Sequence, residues 1–392
     1  MLNIAHYRSE TLGIKHVLHF NNAGAGLMPQ AVVDAMQNHI LLEATIGGYE
    51  ASNARQAEQK QTYAAIASLL NAHPDEIAIV ENATRAWTMA FYGIPFQDGD
   101  RILTSVAEYA SNYIAFLQVK KRVDISIEVV PNDDDGQLDV DALRTMMDER
   151  VRLIAISHVP SQGGLVQPAS DIGKIANDYG ALYLLDACQS VGQMPIDVQA
   201  IGCHMLSATG RKYLRGPRGI GFLYVARDVI PDLEPPVLDL HSAQWLTKDS
   251  YELKPDARRF ENWEANIAAK IGLGVAVDYA LSIGLDTIEA RVTLLASRFR
   301  EQLSQIEGVT VRDMGKKKCG IVTFDVVGHP SIYISEQLRE HQINTSVSPS
   351  TYAVLDFGAR NLDDLVRASV HYYNTEDEID RFCAVLAKVI GN

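Results

Sequence analysis

Leu185-Asp186-Ala187-Cys188-Gln189-Ser190-Val191-Gly192, then Thr209-Gly210-Arg211-Lys212, then Gly216-Pro217-Arg218-Gly219-Ile220-Gly221-Phe222-Leu223-Tyr224-Val225, is the stretch whose reading decides the fold. An apolar run over 181–185 ends in the carboxylate of Asp186. A carboxylate closing a buried strand is costly without a partner. The plain partner is a helix N-terminus or an arginine. The functional one is a protonated pyridine nitrogen, which an adjacent Asp keeps charged so that the ring acts as an electron sink. Lys212 follows the next strand, in a run dense in glycine and basic residues. A lone lysine is ordinarily a solvated charge. Here the glycines permit tight turns, and Thr209 and Arg211 offer donors to an anion. To form an imine Lys212 must lose its proton, which apolar or cationic surroundings favour.

Working outward, short apolar runs at 77–81, 101–105, 125–130, 152–157, 181–186, 204–207 and 219–225 alternate with helical patterns near 84–92, 139–148 and 170–179. Several of these runs are apolar on both faces, as buried parallel strands are. The alternation predicts a mainly parallel sheet of seven strands with helices on both faces. The texture changes after a proline-containing stretch, 231–255. Helical patterns at 266–282 and 285–306, strands near 309–312, 321–326 and 366–370, and a helix near 376–390 predict a smaller α+β domain.

Open parallel sheets bind ligands at the carboxyl ends of their strands. Glu81-Asn82-Ala83-Thr84-Arg85-Ala86-Trp87 is a strand end running into a helix start. Free N–H groups at Ala83, Thr84 and Arg85, with the Thr84 hydroxyl, suit a phosphate. The plain alternative is that Thr84 or Asn82 is only an N-cap.

The bulk numbers exclude some classes. The chain has 392 residues, 35 basic and 49 acidic, for a net charge of −14. No basic footprint for nucleic acid or anionic membranes is present. Residues 1–10 do not read as a signal peptide, and no apolar stretch is long enough to span a bilayer. Cys188, Cys203, Cys319 and Cys383 lie far apart without a CxxC pair, which suggests neither a metal site nor a disulfide framework. A reducing cytoplasm is the expected compartment.

Taken together these segments resemble the class V aminotransferases and cysteine desulfurases, a branch of the fold-type I pyridoxal 5′-phosphate (PLP) enzymes. The resemblance runs from His19-Phe20-Asn21-Asn22-Ala23-Gly24 to Arg367-Ala368-Ser369-Val370-His371. It implies an aspartate-aminotransferase-like α/β fold. Residues 1–20 would pack on the small domain, 21–260 form the large PLP-binding domain, and 261–392 form the small domain. Lys212 matches the Schiff-base lysine, Asp186 the acid on the pyridine nitrogen, and Gln189 the residue near the phenolic oxygen. Ala83, Thr84, Arg85, Thr209 and Arg211 match phosphate contacts. Tyr109 matches a stacking histidine and Ser161 a position near the cofactor. Arg367 matches the arginine that holds the substrate α-carboxylate, with Ala23 and Gly24 beside the substrate. The resemblance also implies a homodimer with shared active sites, in which residues 262–266 cross the interface.

This chain departs from the family pattern at several positions. Tyr109 replaces a histidine, and a phenol cannot serve as an imidazole acid or base near neutral pH. Arg211 also replaces a histidine, and its fork still suits a phosphate. Trp263-Glu264 stands where desulfurases read Gly-Thr, which removes a hydroxyl contact. Most consequentially, the segment Asn344 to Phe357 carries no cysteine, whereas desulfurases have a mobile-loop cysteine there as persulfide acceptor. Cys188 and Cys319 read as small buried hydrophobes. The motif set looks most like a subgroup containing ergothioneine-pathway C–S lyases and isopenicillin N epimerase-like proteins. The expected activity is β-elimination on a cysteine-derived amino acid through an external aldimine. An aminotransferase or an amino-acid epimerase is the first alternative, and a non-catalytic PLP-fold scaffold the second.

Overall fold

The computed structural model describes residues 2–391. Seven strands form its main sheet: β1 Ile77–Val80, β2 Arg101–Ser105, β3 Ser126–Val130, β4 Val151–Ser157, β5 Leu182–Asp186, β6 Met205–Thr209 and β7 Gly221–Val225. Their spatial order is β1-β7-β6-β5-β4-β2-β3. Strands β3, β2, β4, β5 and β6 are parallel. Only β7 is reversed, antiparallel to both β6 and β1. Six carboxyl ends therefore share one edge of the sheet. The central strands are apolar on both faces because helices cover both, and Leu184, Leu185, Leu206 and Ala208 are fully buried.

Every expected strand of this sheet is present to within two residues. The helices Ala83–Phe91, Val140–Met146 and Ala169–Tyr179 also lie where the patterns put them. The sequence signals no helix over Gln30–Ile46, Gln56–Leu70 or Ala110–Lys120. The first buries only Val32 and His39, and a helix without an inward stripe gives periodicity little to register.

The smaller layer is an antiparallel sheet of Val309–Val311, Ile321–Val326, Leu365–Ser369 and Ser346–Ser348. Helices Leu285–Leu303, Ser331–Glu340 and Glu376–Ile390 accompany it. The N-terminal segment joins this layer: Leu18–His19 pairs in parallel with Ile343–Asn344. Arg8 reaches the Tyr373 carbonyl and the Glu378 carboxylate, each at 2.8 Å.

The packing draws the domain border later than residue 261. Helix Ile267–Ile283 lies against the two helices Gln30–Ile46 and Gln56–Leu70 of the large layer. The Thr62 hydroxyl donates to the Lys270 carbonyl at 3.1 Å. Gly272 and Gly274 let the backbones close up, since a Cβ there would meet Met36 at 2.8 Å and Thr62 at 2.5 Å. The proline-containing stretch is instead an excursion of the large layer, an exposed hairpin of Ala243–Thr247 and Ser250–Leu253. Among the described residues no single helix is long and apolar enough to cross a membrane.

One contact tests how closely the layers fit. A Cβ on Gly173, in helix Ala169–Tyr179, would stand 1.8 Å from the Ile201 carbonyl oxygen. Alanine in a helix interior normally gains about 1 kcal/mol over glycine. Here overpacking outweighs that gain, and Gly173→Ala is expected to lose about 1–3 kcal/mol. Denaturant unfolding measures it, and an unchanged or higher midpoint contradicts the contact.

Candidate active site

The shared sheet edge gathers the chemistry. Asp186 ends β5, Ser157 ends β4 beside it in register, and Thr209 ends β6. Asp186 is buried. Its Oδ1 accepts from the Cys188 amide at 3.0 Å and its Oδ2 from Asn112 Nδ2 at 3.1 Å. Burial pushes its carboxyl above the usual range, while these two donors and Lys212 oppose the shift.

Lys212 is also buried, on the turn after β6. Burial lowers its pKa, and the nearby guanidiniums of Arg211 and Arg367 lower it further, against Cys188 and Asp186. The outcome is a lysine biased towards the neutral amine, the form that acts as nucleophile and base.

A cradle for an anion lies at the start of helix Ala83–Phe91. Asn82 is the N-cap, and its side chain takes the Arg85 amide at 2.9 Å while its carbonyl takes the Ala86 amide at 3.0 Å. The amides of Ala83 and Thr84 remain for a ligand. Gly221, paired with Thr209 in the sheet, presses against this turn: a Cβ there would stand 2.9 Å from the Asn82 carbonyl carbon and 3.1 Å from the Ala83 nitrogen. Only glycine lets the helix start sit directly over the end of β6, which brings Ala83, Thr84 and Thr209 together.

At the opposite side, Arg367 on Leu365–Ser369 donates to the Ser346 hydroxyl at 3.1 Å and the Ser161 carbonyl at 2.9 Å. It has no carboxylate partner among the described residues. Burial drops its pKa to about 10, with Arg211 adding to the drop and the phenols of Tyr213 and Tyr109 opposing it. Gln189 donates to the Ala23 carbonyl at 3.2 Å and the Ser161 hydroxyl at 2.9 Å. The other end of its buried amide has no partner among the described residues. Hydrogen bonds and charge contacts thus bring Ala23, Gly24, Tyr109, Ser161, Asp186, Gln189, Arg211, Lys212 and Arg367 into one neighbourhood, with the cradle adjoining it.

Two expected phosphate contacts are not met in the arrangement seen. Arg85 has its amide capped by Asn82, and its guanidinium turns to Asn262 Oδ1 at 3.2 Å and towards Glu81 at 3.9 Å. Arg211 donates to the Gly24 carbonyl, on the substrate side of Lys212. Cys188 lies near Lys212, and burial pushes its thiol up in pKa, with the charges of Lys212 and Arg211 opposing the rise. Sequence reasoning also misses Glu108 and Asn112, which lie behind Asp186. The signal available was their four-residue spacing within Glu108-Tyr109-Ala110-Ser111-Asn112, already singled out for its tyrosine.

These residues fit pyridoxal phosphate. The glycine-backed helix start matches its phosphate, Asp186 a ring nitrogen, the free end of the Gln189 amide a polar ring substituent, and Lys212 its aldehyde. Known proteins agree. A probable cysteine desulfurase from Methanothermobacter thermautotrophicus is 32% identical over 329 residues, 83% of this chain and 82% of the relative. The apo structure of a cysteine desulfurase from Thermococcus onnurineus superposes with a TM-score of 0.93 at 27% identity, covering 100% of this chain and 99% of that one. A cystine C–S lyase in complex with cysteine persulfide shares the fold, with a TM-score of 0.86 at 23% identity over 96% of this chain and 99% of that one. A model of the family described as aminotransferase class-V matches residues 18–382, and the chain belongs to that family of pyridoxal-phosphate enzymes.

Proposed function

We propose that this chain is a β-eliminating C–S lyase acting on a cysteine-derived amino acid, releasing the sulfur fragment directly. The observation that carries this is the segment beside Arg367. It holds no cysteine between Cys319 and Cys383. It is also tied down: Ser346–Ser348 pairs with Leu365–Ser369, and the Ser350 amide and hydroxyl donate to Asp364 at 2.8 and 3.0 Å. The relatives named as cysteine desulfurase, and the fold neighbour named as a cystine C–S lyase, support a sulfur-containing amino acid as substrate.

Each residue has a physical task. Arg367 holds the α-carboxylate with a guanidinium that no protein carboxylate claims. Pyridoxal phosphate, when bound, supplies the electron sink that makes the Cα proton of an amino acid removable. Ala83, Thr84 and Thr209 would hold its phosphate, Asp186 would hold the proton at its ring nitrogen, and Tyr109 would cover the ring. The Lys212 amine, which burial biases towards losing its proton, takes the Cα proton, and the resulting ammonium is the proton source for the departing sulfur.

The reading includes a homodimer with shared active sites. Ile40, Leu41, Ile46 and Tyr49 stand exposed on consecutive helices, with exposures of 53, 67, 46 and 74%, and Trp263 is exposed at 59% in residues 262–266. Such apolar surface is characteristic of an interface. Sedimentation should find a dimer, and an active monomer contradicts this.

Replacing all four cysteines by alanine is expected to leave pyruvate release from cysteine S-conjugates at a third or more of the parent rate, a barrier change under about 1 kcal/mol. Loss of turnover in a folded, cofactor-loaded variant contradicts the proposal. So does amino-group transfer to keto acids, or solvent deuterium uptake with inversion, in place of pyruvate. Arg367→Lys keeps the charge but loses the fork. It should raise KM by the equivalent of about 2–5 kcal/mol. An unchanged KM removes Arg367 from the site.

A further inference from the structure

Glu108 belongs to no step above, yet it is the most completely enclosed carboxylate at the site. It sits on the turn between β2 and helix Ala110–Lys120. Its Oε1 accepts from the Tyr109 amide at 2.7 Å, Asn112 Nδ2 at 2.9 Å and the Ser157 hydroxyl at 2.7 Å. Its Oε2 accepts from the Thr104 hydroxyl at 3.1 Å. One side chain thus ties together β2, the helix start that carries Tyr109, and the end of β4. The Asn112 amide nitrogen has two hydrogens, and its second acceptor is Asp186 Oδ2 at 3.1 Å. Among the described residues the Asp186 carboxylate receives only one other hydrogen bond, from the Cys188 amide at 3.0 Å. Its orientation therefore depends on Asn112, and that of Asn112 on Glu108.

We propose that Glu108 is a positioning residue, which through Asn112 aims the Asp186 carboxylate and through the Tyr109 amide seats the aromatic ring, so that both faces of the cofactor contact are set by one buried side chain. The inference rests on the pyridoxal-phosphate reading of the site. A buried carboxylate with four donors is rigid, because each lost donor leaves an uncompensated acceptor in a dry environment. Burial pushes Glu108 up to about 7, with Asp186 adding to the rise and the donors from Ser157, Asn112 and Tyr109 opposing it. It faces no cation among the groups that shift it. A charge-neutral packing residue would serve folding as well, whereas the aim of Asp186 needs a directed acceptor at this point.

The test uses the cofactor-loaded enzyme and two readouts, the visible band of the bound cofactor and the split between kcat and KM. Glu108→Ala is expected to shift the band and lower kcat on the order of ten- to a hundredfold, the cost of a small misplacement, with KM nearly unchanged because Arg367 is untouched. Glu108→Gln restores the band and most of kcat, since its amide oxygen can occupy the Oε1 position and its nitrogen can meet Thr104. Asn112→Ala leaves Glu108 three of its donors and should reproduce the kcat loss and the band shift in a protein of near-parental stability, even if Glu108→Ala fails to fold. In an Asp186→Asn background, Asn112→Ala should move the band no further. A parental band and kcat in Asn112→Ala, or effects that add fully to those of Asp186→Asn, overturn the proposal. A parent without any visible band removes the cofactor reading itself, which is a different failure.

Discussion

The site depends on a charge imbalance enclosed by the protein. Lys212, Arg211 and Arg367 lie near one another, and Asp186 is the carboxylate that acts on Lys212. Like charges in a dry environment repel strongly, and the group that yields is the one whose proton is most easily lost. An arginine holds its proton; a lysine gives it up. Burial first, and the neighbouring guanidiniums after it, lower the Lys212 pKa, and Arg367 is left without a carboxylate partner among the described residues. In the proposed function a substrate carboxylate supplies the anion that Arg367 lacks.

The fold's contribution is to deliver these groups from separate elements to one edge. Six strands end together, and the reversed β7 presents Gly221 where a side chain would displace the helix start. The smaller layer brings Arg367 from the other side and is fastened to the N-terminal segment through Leu18–His19. Ala23 and Gly24 follow that fastening directly, which is why the start of the chain contributes to a pocket built mainly by residues 80–215. Position is maintained by hydrogen bonds behind the reacting groups, above all those of Glu108 and Asn112.

Much of this was legible in the sequence. Buried parallel strands announce themselves as short apolar runs, and the acid ending 182–186 and the glycine-rich turn at Lys212 identify the edge they share. Residues whose role is set by a neighbour were harder to read. Arg85 looks like a phosphate ligand until Asn82 and Asn262 are seen to hold it, and Arg211 until it is found on Gly24. Cys188 looks like filler because nothing in its local sequence says that Lys212 lies across from it. Helix Gln30–Ile46 escapes because several of its apolar residues, Ile40, Leu41 and Ile46, face outward, a pattern that period-based reading cannot assign to a core. The helix Ile267–Ile283 follows a compositional break, but its small residues join it to the large layer.

In the proposed function sulfur leaves without ever residing on the protein. Intact-protein mass spectrometry of the holoenzyme, quenched during turnover of a cysteine S-conjugate without added reductant, is the decisive measurement. The expected protein mass carries no added RS fragment of the conjugate while pyruvate accumulates. A species heavier by RS, a mixed disulfide on Cys188 or any other cysteine, that forms and decays at the rate of turnover would overturn that reading.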